Sequence, residues 1–272
     1  MSDLAEANAP DSPANPAPTV SGTKPSLMSV VDMVWPDQSN HHGTLFGGAA
    51  LAALDRLAFI MGSKVLRGTV VTAAVSRLDF AAPAPAGHLI ECTAEVVHRG
   101  RRSVTLKTEL VAEALLTGER TQCLSGEFVM VSQQASAASS PPSTLAPTSV
   151  EAAVLMEDAP DRPVVRVAEI VFPGHANHRG VLHGGPAMAW LAKAGFVAAT
   201  RHMRRTVVMA SSERMDFVAP AYVGEVVEVL ARVVRVGNRS ITVQADMWSE
   251  SPVTGARRLC TSSSLVYVSV DH

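Results

Sequence analysis

Segments with the hydrophobic pattern of a helix alternate with segments that have the pattern of strands, and their order along the chain is regular. Residues 46–66 are rich in Ala and Leu and apolar on almost every side of a helical wheel, which predicts one long helix buried on most of its faces. A pair of glycines stands at the start of this segment rather than in its interior, where glycine would destabilise the helix. The same pattern from residue 184 to about residue 203 predicts a second long helix.

Shorter strand-like runs flank each predicted helix, and turn-forming residues such as PAPAG, HRGRR and LTGER separate them. One run precedes each helix and four follow it: residues 29–35, 70–80, 89–98, 103–112 and 121–131 around the first helix, and residues 165–172, 207–217, 225–234, 240–249 and 258–268 around the second. Four consecutive strands predict an antiparallel meander that curls around the helix to bury it, so the predicted fold class is α+β.

The order of segments recurs because the sequence itself recurs. NHHGTLFGG at residues 40–48 returns as NHRGVLHGG at residues 177–185, an offset of 137 positions (177 − 40). This offset holds without a gap from about residue 28 to residue 132, with about four positions in ten identical. Two copies predict a pseudo-symmetric pair fused into one chain, with a two-fold-type interface between its halves.

The repeat divides the chain into four segments. Residues 1–26 are rich in Ala, Pro, Ser and Asp and are predicted to be a disordered tail. The first domain is predicted over residues 27–133 and the second over residues 153–272. Residues 134–152, which are rich in Ser, Pro and Ala, are predicted to link them.

Composition narrows the possible partners. Hydrophobic residues make up 47% of the chain, enough for full-sized cores, while a net charge of -2 and 4% aromatic residues argue against a nucleic-acid partner. The first residues lack the pattern of a secretory signal, and no apolar run is long enough to span a bilayer. We therefore expect a cytoplasmic protein without a membrane partner, in which Cys92, Cys123 and Cys260 are buried, reduced thiols.

Several motifs occur in both copies. N-x-x-G-x-x-[FH]-G-G opens each predicted helix, and R-x-D-F-x-A-P, G-x-R-S-x-T and V-x-V-S follow in order. In the first copy Asp55 stands seven residues after the second glycine. Together these motifs resemble the hotdog fold, and within it the acyl-CoA thioesterases of the acyl-CoA hydrolase family, over most of the chain outside the tail and linker.

The resemblance implies a tandem double-hotdog protein. Each of the two tandem hotdog units would have a long central helix wrapped by a curved antiparallel sheet, with the sheets side by side and the helices nearly antiparallel. The implied reaction is hydrolysis of fatty acyl-CoA to free fatty acid and CoA, with no cofactor beyond the CoA of the substrate. Three such chains would form a ring, which makes a homotrimer the expected assembly.

Asp55 is the first candidate catalytic residue. It lies almost two turns into an otherwise apolar helix, where burying a carboxylate is costly. The family places a carboxylate on this helix, so the resemblance implies that Asp55 is the general base for a water molecule, with direct attack on the thioester carbonyl as the other route. The alternative is a structural Asp that pairs with Arg56 or lies on an exposed face.

The two copies differ at this position. The offset maps Asp55 onto Ala192, so the second copy has lost its acid, whereas both copies keep an Asn, at positions 40 and 177. Since the family combines the acid of one unit with the Asn and helix start of the other, the resemblance implies one complete site that pairs Asp55 with Asn177. Asn40 and Ala192 would form a degenerate, inactive site. The alternative for Asn177 is a turn residue that bonds its own backbone, and Asn40 fits that alternative better.

Gly184 and Gly185 would open the helix that faces Asp55. Free N–H groups and the helix dipole at such a start suit an oxyanion, although close packing of the helix is an equally physical reason for the glycines. His183, immediately before them, is expected to line the thioester pocket.

Two hairpin corners are candidates for contact with the phosphates of CoA. They are Arg239 with Ser240, and Arg102 with Ser103. The alternative for such charges is a solvated turn. The histidines near the two Asn residues lack the spacing and the accompanying acids or thiols of a metal site, so no metal is expected.

Two other functions remain open from the sequence. One is a hydroxyacyl dehydratase on the same fold, for which the required pairing of His and acid is not found, and the other is a non-catalytic acyl-CoA-binding or regulatory protein. The sequence does not fix the acyl chain length. Small residues beside the helix starts could leave room for a chain: Ala49, Ala50, Ala53 and Ala187.

Overall fold

The computed structural model describes residues 27–133 and 163–270. The first repeat contains β1 (Leu27–Met33), α1 (Gly47–Leu66), β2 (Val70–Val75), β3 (Leu78–Phe80), β4 (Leu89–Arg99), β5 (Ser103–Glu113) and β6 (Arg120–Ser132). The second repeat contains β7 (Val165–Ile170), α2 (Gly184–Met203), β8 (Val207–Ser212), β9 (Met215–Phe217), β10 (Val226–Val236), β11 (Ser240–Glu250) and β12 (Arg257–Ser269). The predicted tail (1–26), the predicted linker (134–152) and the first ten residues of the predicted second domain (153–162) lie outside the described residues.

The strands of the described residues form one antiparallel sheet of twelve strands. Its order is β1-β4-β5-β6-β2-β9-β12-β11-β10-β7, so the two repeats meet at β2 and β9 in the middle, while β1 and β7 form the edges. In addition, β3 pairs with β6 and β8, and β8 pairs with β12. The sheets of the two repeats are therefore continuous across the seam, side by side as expected.

The predicted meander of four strands is wrong in one respect. In the first repeat only β4, β5 and β6 follow one another as a meander, because the run predicted over residues 70–80 is two strands and pairs with β6 on the side away from β5. The break falls where this run changes its partner across the seam: Val75 lies opposite Met215 of β9, and Leu78 lies opposite Ser212 of β8. The run 207–217 divides in the same way.

The two helices pack on the sheet and on each other. α1 lies against β4–β6 and α2 against β10–β12, which confirms a long helix wrapped by a sheet in each repeat. At their contact, a Cβ added to Gly48 would lie 2.9 Å from Ala189 Cα, and one added to Gly185 would lie 3.1 Å from Ala52 Cα. The start of each helix thus faces the second turn of the other, so the helices run antiparallel, as expected, and only glycine allows this approach.

Most of the helix and sheet surfaces that meet are fully buried. The helices contribute Leu51, Leu54, Met61, Met188 and Leu191, and all three cysteines are buried free thiols, as predicted. Neither described helix is apolar enough over a sufficient length to cross a membrane.

Candidate active site

Asp55 lies on α1 at the interface between the repeats. Its side chain is buried, with 1% of its surface exposed. Oδ1 accepts a hydrogen bond from the hydroxyl of Thr72 at 2.6 Å, and Oδ2 accepts one from the backbone N–H of Gly185 at 2.7 Å. The carboxylate of the first repeat therefore contacts the start of the helix of the second repeat, which is the combination of half-sites that the resemblance implies.

Burial controls the acidity of this carboxylate. Removal from water raises the pKa of Asp55 from 3.8 to about 6, and the hydrogen bonds from Thr72 and Gly185 oppose this rise. The alternative of an ion pair with Arg56 or of an exposed face is wrong, because both carboxylate oxygens point into the interface. An acid with this pKa is largely ionised at neutral pH and a stronger base than an ordinary aspartate.

The glycines that open α2 are fitted to the carboxylate. A Cβ on Gly184 would lie 2.7 Å from Asp55 Oδ1 and 2.8 Å from Thr72 Oγ1, too close for any larger residue. The N–H of Gly185 is engaged by the carboxylate, so this group orients the acid in the state described here. The N–H of Gly184 belongs to the first turn, where amides have no helical partner, and it stays the predicted oxyanion donor.

Thr72 was missed by the sequence reasoning. It lies on β2 beside the irregularity in pairing between Thr72 and Ala74, and its side chain faces inward from an otherwise apolar strand. The repeat contains a signal for it, since the offset maps Thr72 onto Met209 just as it maps Asp55 onto Ala192. Both positions carry a polar residue in the first copy and an apolar residue in the second.

Asn177 is buried in the loop that precedes α2. Its Oδ1 accepts hydrogen bonds from the backbone N–H groups of Arg179 at 2.9 Å and Val181 at 3.2 Å. Asn40 makes the same kind of turn in the first repeat. Both Asn residues therefore stabilise a turn of their own loop, which was the alternative to a catalytic function, and the side-chain oxygen of each is used for this purpose.

The amide groups of the two Asn side chains differ. Asn40 Nδ2 donates to the hydroxyl of Thr44 at 2.9 Å. Val181 occupies the corresponding position beside Asn177 and offers no hydroxyl. The side-chain N–H of Asn40 is therefore used within its own loop on the degenerate side. Asn177, on the side of Asp55, cannot form the equivalent bond.

The loop of Asn177 reaches the strand that also holds Asp55. The Nε2 of His178 lies 2.5 Å from Thr69 Oγ1, just before β2, and Thr72 of β2 bonds Asp55. Three strand residues span about 10 Å, so the loop and the carboxylate border one region. Within the part of the chain described, the hydrogen bonds of Asn177 stay in its own loop, and its predicted catalytic function stays a prediction.

His183 is the residue immediately before α2. Its ring packs edge-on against Phe59 with centroids 4.6 Å apart. Burial lowers the pKa of His183, and the electrostatic interactions with Arg56 and His178 lower it further. A neutral imidazole therefore stands next to the two glycines, consistent with the predicted position at the wall of the pocket.

The mirror site has lost its polar groups. Ala192 stands at the position of Asp55, and Met209 at that of Thr72. The Met209 Cε lies 2.8 Å from where a Cβ of Gly47 would be, so its side chain fills the space that the carboxylate and hydroxyl occupy on the other side. Phe46 replaces His183 there and packs on Phe196. This side therefore lacks the carboxylate and the hydroxyl that meet on the side of Asp55.

The two predicted CoA corners lie at opposite ends of the sheet. Ser132 N donates to Arg102 O at 2.8 Å, and the next residue, Gln133, donates to Thr69 O at 2.9 Å. The corner with Arg102 and Ser103 is thus two strands, about 10 Å, from Thr69 and the loop of Asn177.

The corner with Arg239 and Ser240 has the mirrored relation. Ser269 N donates to Arg239 O, and Val270 N donates to Thr206 O, the counterpart of Thr69. This corner therefore belongs to the degenerate end. Of the two pairs predicted to contact CoA within one chain, only Arg102 and Ser103 lie on the side of Asp55.

No group of three or more potential metal ligands occurs among the residues that the structure describes.

Comparisons with known proteins define the class. The family description of the thioesterase superfamily matches residues 42–118 and again residues 179–256. These ranges cover more than half of the chain, so the protein belongs to this superfamily and carries its domain twice. The predicted tandem hotdog fold is thereby confirmed.

Two of the relatives that this chain resembles are named acyl-CoA hydrolases. The human cytosolic acyl coenzyme A thioester hydrolase is 35% identical over 105 residues, which are 36% of this chain and 28% of that protein. The match thus spans less than a third of that relative. An acyl-CoA hydrolase from Agrobacterium tumefaciens is 40% identical, covers 90% of this chain and 96% of its own, and has a TM-score of 0.41. An acyl-ACP thioesterase from Bacteroides thetaiotaomicron, 11% identical with a TM-score of 0.56 over 89% of this chain and 98% of its own, shares the fold alone.

Proposed function

We propose that this protein hydrolyses acyl-CoA thioesters to a free fatty acid and CoA, at one site between its two repeats. The observation that carries the proposal is the buried carboxylate of Asp55, held by Thr72 and by the start of α2. The names of the human and Agrobacterium relatives support CoA esters as the substrate class.

In the proposed reaction Asp55 removes a proton from a water molecule while the water oxygen attacks the thioester carbonyl carbon. The negative charge that develops on the carbonyl oxygen is stabilised by N–H donors at the start of α2, with Gly184 as the candidate. The C–S bond then breaks, and the proton held by Asp55 passes to the departing CoA sulfur. Direct attack by the carboxylate, followed by hydrolysis of the resulting anhydride, is the other route open to the same group.

The asymmetry of the repeats supports catalysis over simple binding. Keeping an ionised carboxylate at 1% exposure opposes folding, and the second repeat shows that the fold accepts Ala at the equivalent position. A protein that only bound acyl-CoA would gain nothing from retaining the acid in one copy.

Asp55→Asn tests the proposal. We expect the native chain to release CoA thiol from an acyl-CoA, with kcat/KM falling below pH about 6 as Asp55 becomes protonated. The variant should lose about a thousandfold or more in turnover, the range of general base catalysis, while its Kd for the acyl-CoA changes little. Asp37→Asn, at an exposed position, should keep the native rate and serves as the control. Full turnover by Asp55→Asn would refute the assigned base.

We also propose that three chains assemble, as the resemblance implies. Both edges of the sheet are exposed and carry apolar side chains, among them Val30, Val31 and Ile170, and such edges are commonly covered by another chain. Light scattering should then give the mass of three chains of 28.6 kDa, and a monomeric mass would refute the assembly. A cytosolic location is likewise proposed, supported by the name of the human relative.

A further inference from the structure

A cavity of about 170 Å³ lies beside α1 in the first repeat, between the helix and strands β1 and β4. Its wall is mostly aliphatic and comes from Ala49, Ala52, Ala53, Leu57, Ile60 and Ile90. Asp32 and Arg56 lie at its rim. Two of the four small residues singled out in the sequence, Ala49 and Ala53, line this cavity, whereas Ala50 and Ala187 are buried elsewhere in the core.

The cavity adjoins the proposed active site. Ala52 lines the cavity, and its Cα lies 3.1 Å from where a Cβ of Gly185 would be. The same added Cβ would lie 3.3 Å from Asp55 Oδ2. Ala52 of α1 therefore borders both the cavity and the start of α2 on which the carboxylate rests.

The second repeat has closed the equivalent space. The offset maps Ala53 onto Trp190 and Ala49 onto Pro186. The Trp190 side chain is buried and packs edge-on against His175, with ring centroids 5.2 Å apart. The indole ring of Trp190 thus fills the space beside the site that lacks the acid. Beside the site that has the acid, the same position carries only the methyl group of Ala53.

The rims of the two spaces differ as well. In the second repeat Lys193 forms an ion pair with Glu169 across the rim. Their counterparts are Arg56 and Asp32, and Asp32 instead accepts hydrogen bonds from Met33 N and the indole N–H of Trp35. Asp32 thus bonds Met33 of its own strand and the nearby Trp35, whereas Glu169 pairs with Lys193.

We infer that this cavity receives the acyl chain of the substrate, and that Ala53 determines how long a chain is held. The inference rests on the proposed hydrolysis of acyl-CoA and adds its chain-length class. An apolar cavity of about 150 Å³ accommodates benzene, so a space of this size holds about six carbons. The preferred substrates are therefore short- to medium-chain acyl-CoAs, whose first carbons lie between α1 and β4.

The chain-length profile of the native protein should show this limit. Each methylene buried in the cavity should raise kcat/KM about fourfold, which corresponds to about 0.8 kcal/mol per buried CH₂. The rise from acetyl- through butyryl- to hexanoyl-CoA should then level off at octanoyl-CoA, because further carbons lie outside the cavity.

The test is Ala53→Trp, which places in the first repeat the residue that the second repeat carries. We expect the variant to keep acetyl-CoA hydrolysis within about threefold of the native rate and to lose at least tenfold on hexanoyl-CoA, since excluding two methylenes at about fourfold each lowers kcat/KM about sixteenfold. Trp190→Ala is the matched control. It opens the mirrored space, beside which Ala192 stands in place of the carboxylate, and should leave the profile unchanged.

The outcomes separate this inference from the proposed function. Equal loss on every chain length in a folded Ala53→Trp protein, or no change at all, would overturn the acyl cavity while leaving hydrolysis intact. Absence of hydrolysis of any acyl-CoA by the native chain would instead overturn the proposed function itself. If Ala53→Trp does not fold, Ala53→Val, with a smaller side chain, should shift the plateau toward butyryl-CoA, and an unshifted plateau would overturn the inference.

Discussion

At the residue scale, the feature that most distinguishes the two halves of this molecule is one buried carboxylate. Asp55 is held at a pKa of about 6 by desolvation, against the effect of its two hydrogen bonds. Its mirror position is occupied by Ala192, and the hydroxyl that supports it is replaced by Met209. The carboxylate and the hydroxyl are thus present on one side, and apolar side chains take their places on the other.

This carboxylate makes the stability of the protein depend on pH. Its pKa is higher in the folded chain than the ordinary 3.8, so the folded state binds more protons between pH 4 and pH 6 and loses stability as the pH rises through that window. The loss is on the order of 3 kcal/mol and is complete above about pH 6. Asp55→Asn does not titrate, so its stability relative to the native chain should increase from pH 4 to pH 7.5. Urea unfolding at both pH values measures the difference, and a difference independent of pH would contradict the assigned pKa.

At the scale of elements, the helices could be predicted almost to the residue, whereas the strands at the seam could not. The apolar pattern and the glycine pair are local signals, and α1 and α2 begin and end where they indicate. The runs 70–80 and 207–217 each divide because the strands change partners between the repeats. Such pairing depends on residues more than a hundred positions away and leaves no local signal.

The start of α2 gives a prediction at the same scale. Gly184→Ala should lower kcat/KM about a hundredfold, because its Cβ would lie within 2.8 Å of both Asp55 Oδ1 and Thr72 Oγ1, and displacing catalytic groups by about 1 Å costs this much. Gly47→Ala makes the equivalent change on the degenerate side, where its Cβ meets the flexible end of Met209. Gly47→Ala should leave kcat/KM within about twofold of the native value, given that no catalytic group is displaced. Similar rates for the two variants would mean that the fit of Gly184 has no catalytic importance.

At the scale of the whole molecule, duplication allowed the site to become asymmetric. The resemblance implied the pairing of the first acid with the second helix, and the offset of 137 positions showed that the second copy lacks the acid. The sequence did not predict the contribution of Thr72, nor that Trp190 fills the space left open beside Ala53. Both depend on which side chains face inward at a particular turn or strand position. Which of the two arginine corners lies on the side of Asp55 likewise depends on the end of the sheet that each hairpin occupies.

The central claim is that one site works, and that it joins the acid of the first repeat to the amide of the second. Its most direct test compares kcat/KM for one acyl-CoA between Asn177→Ala and Asn40→Ala. The side-chain oxygen of each residue accepts the same two kinds of backbone N–H bond in its own loop, so both substitutions remove an equivalent turn, and Asn40→Ala removes the bond to Thr44 in addition. We expect Asn177→Ala to lose about a hundredfold or more, as for removal of one hydrogen-bond donor from an active site, and Asn40→Ala to stay within about twofold of the native value. Equal losses, or a larger loss for Asn40→Ala, would contradict the account.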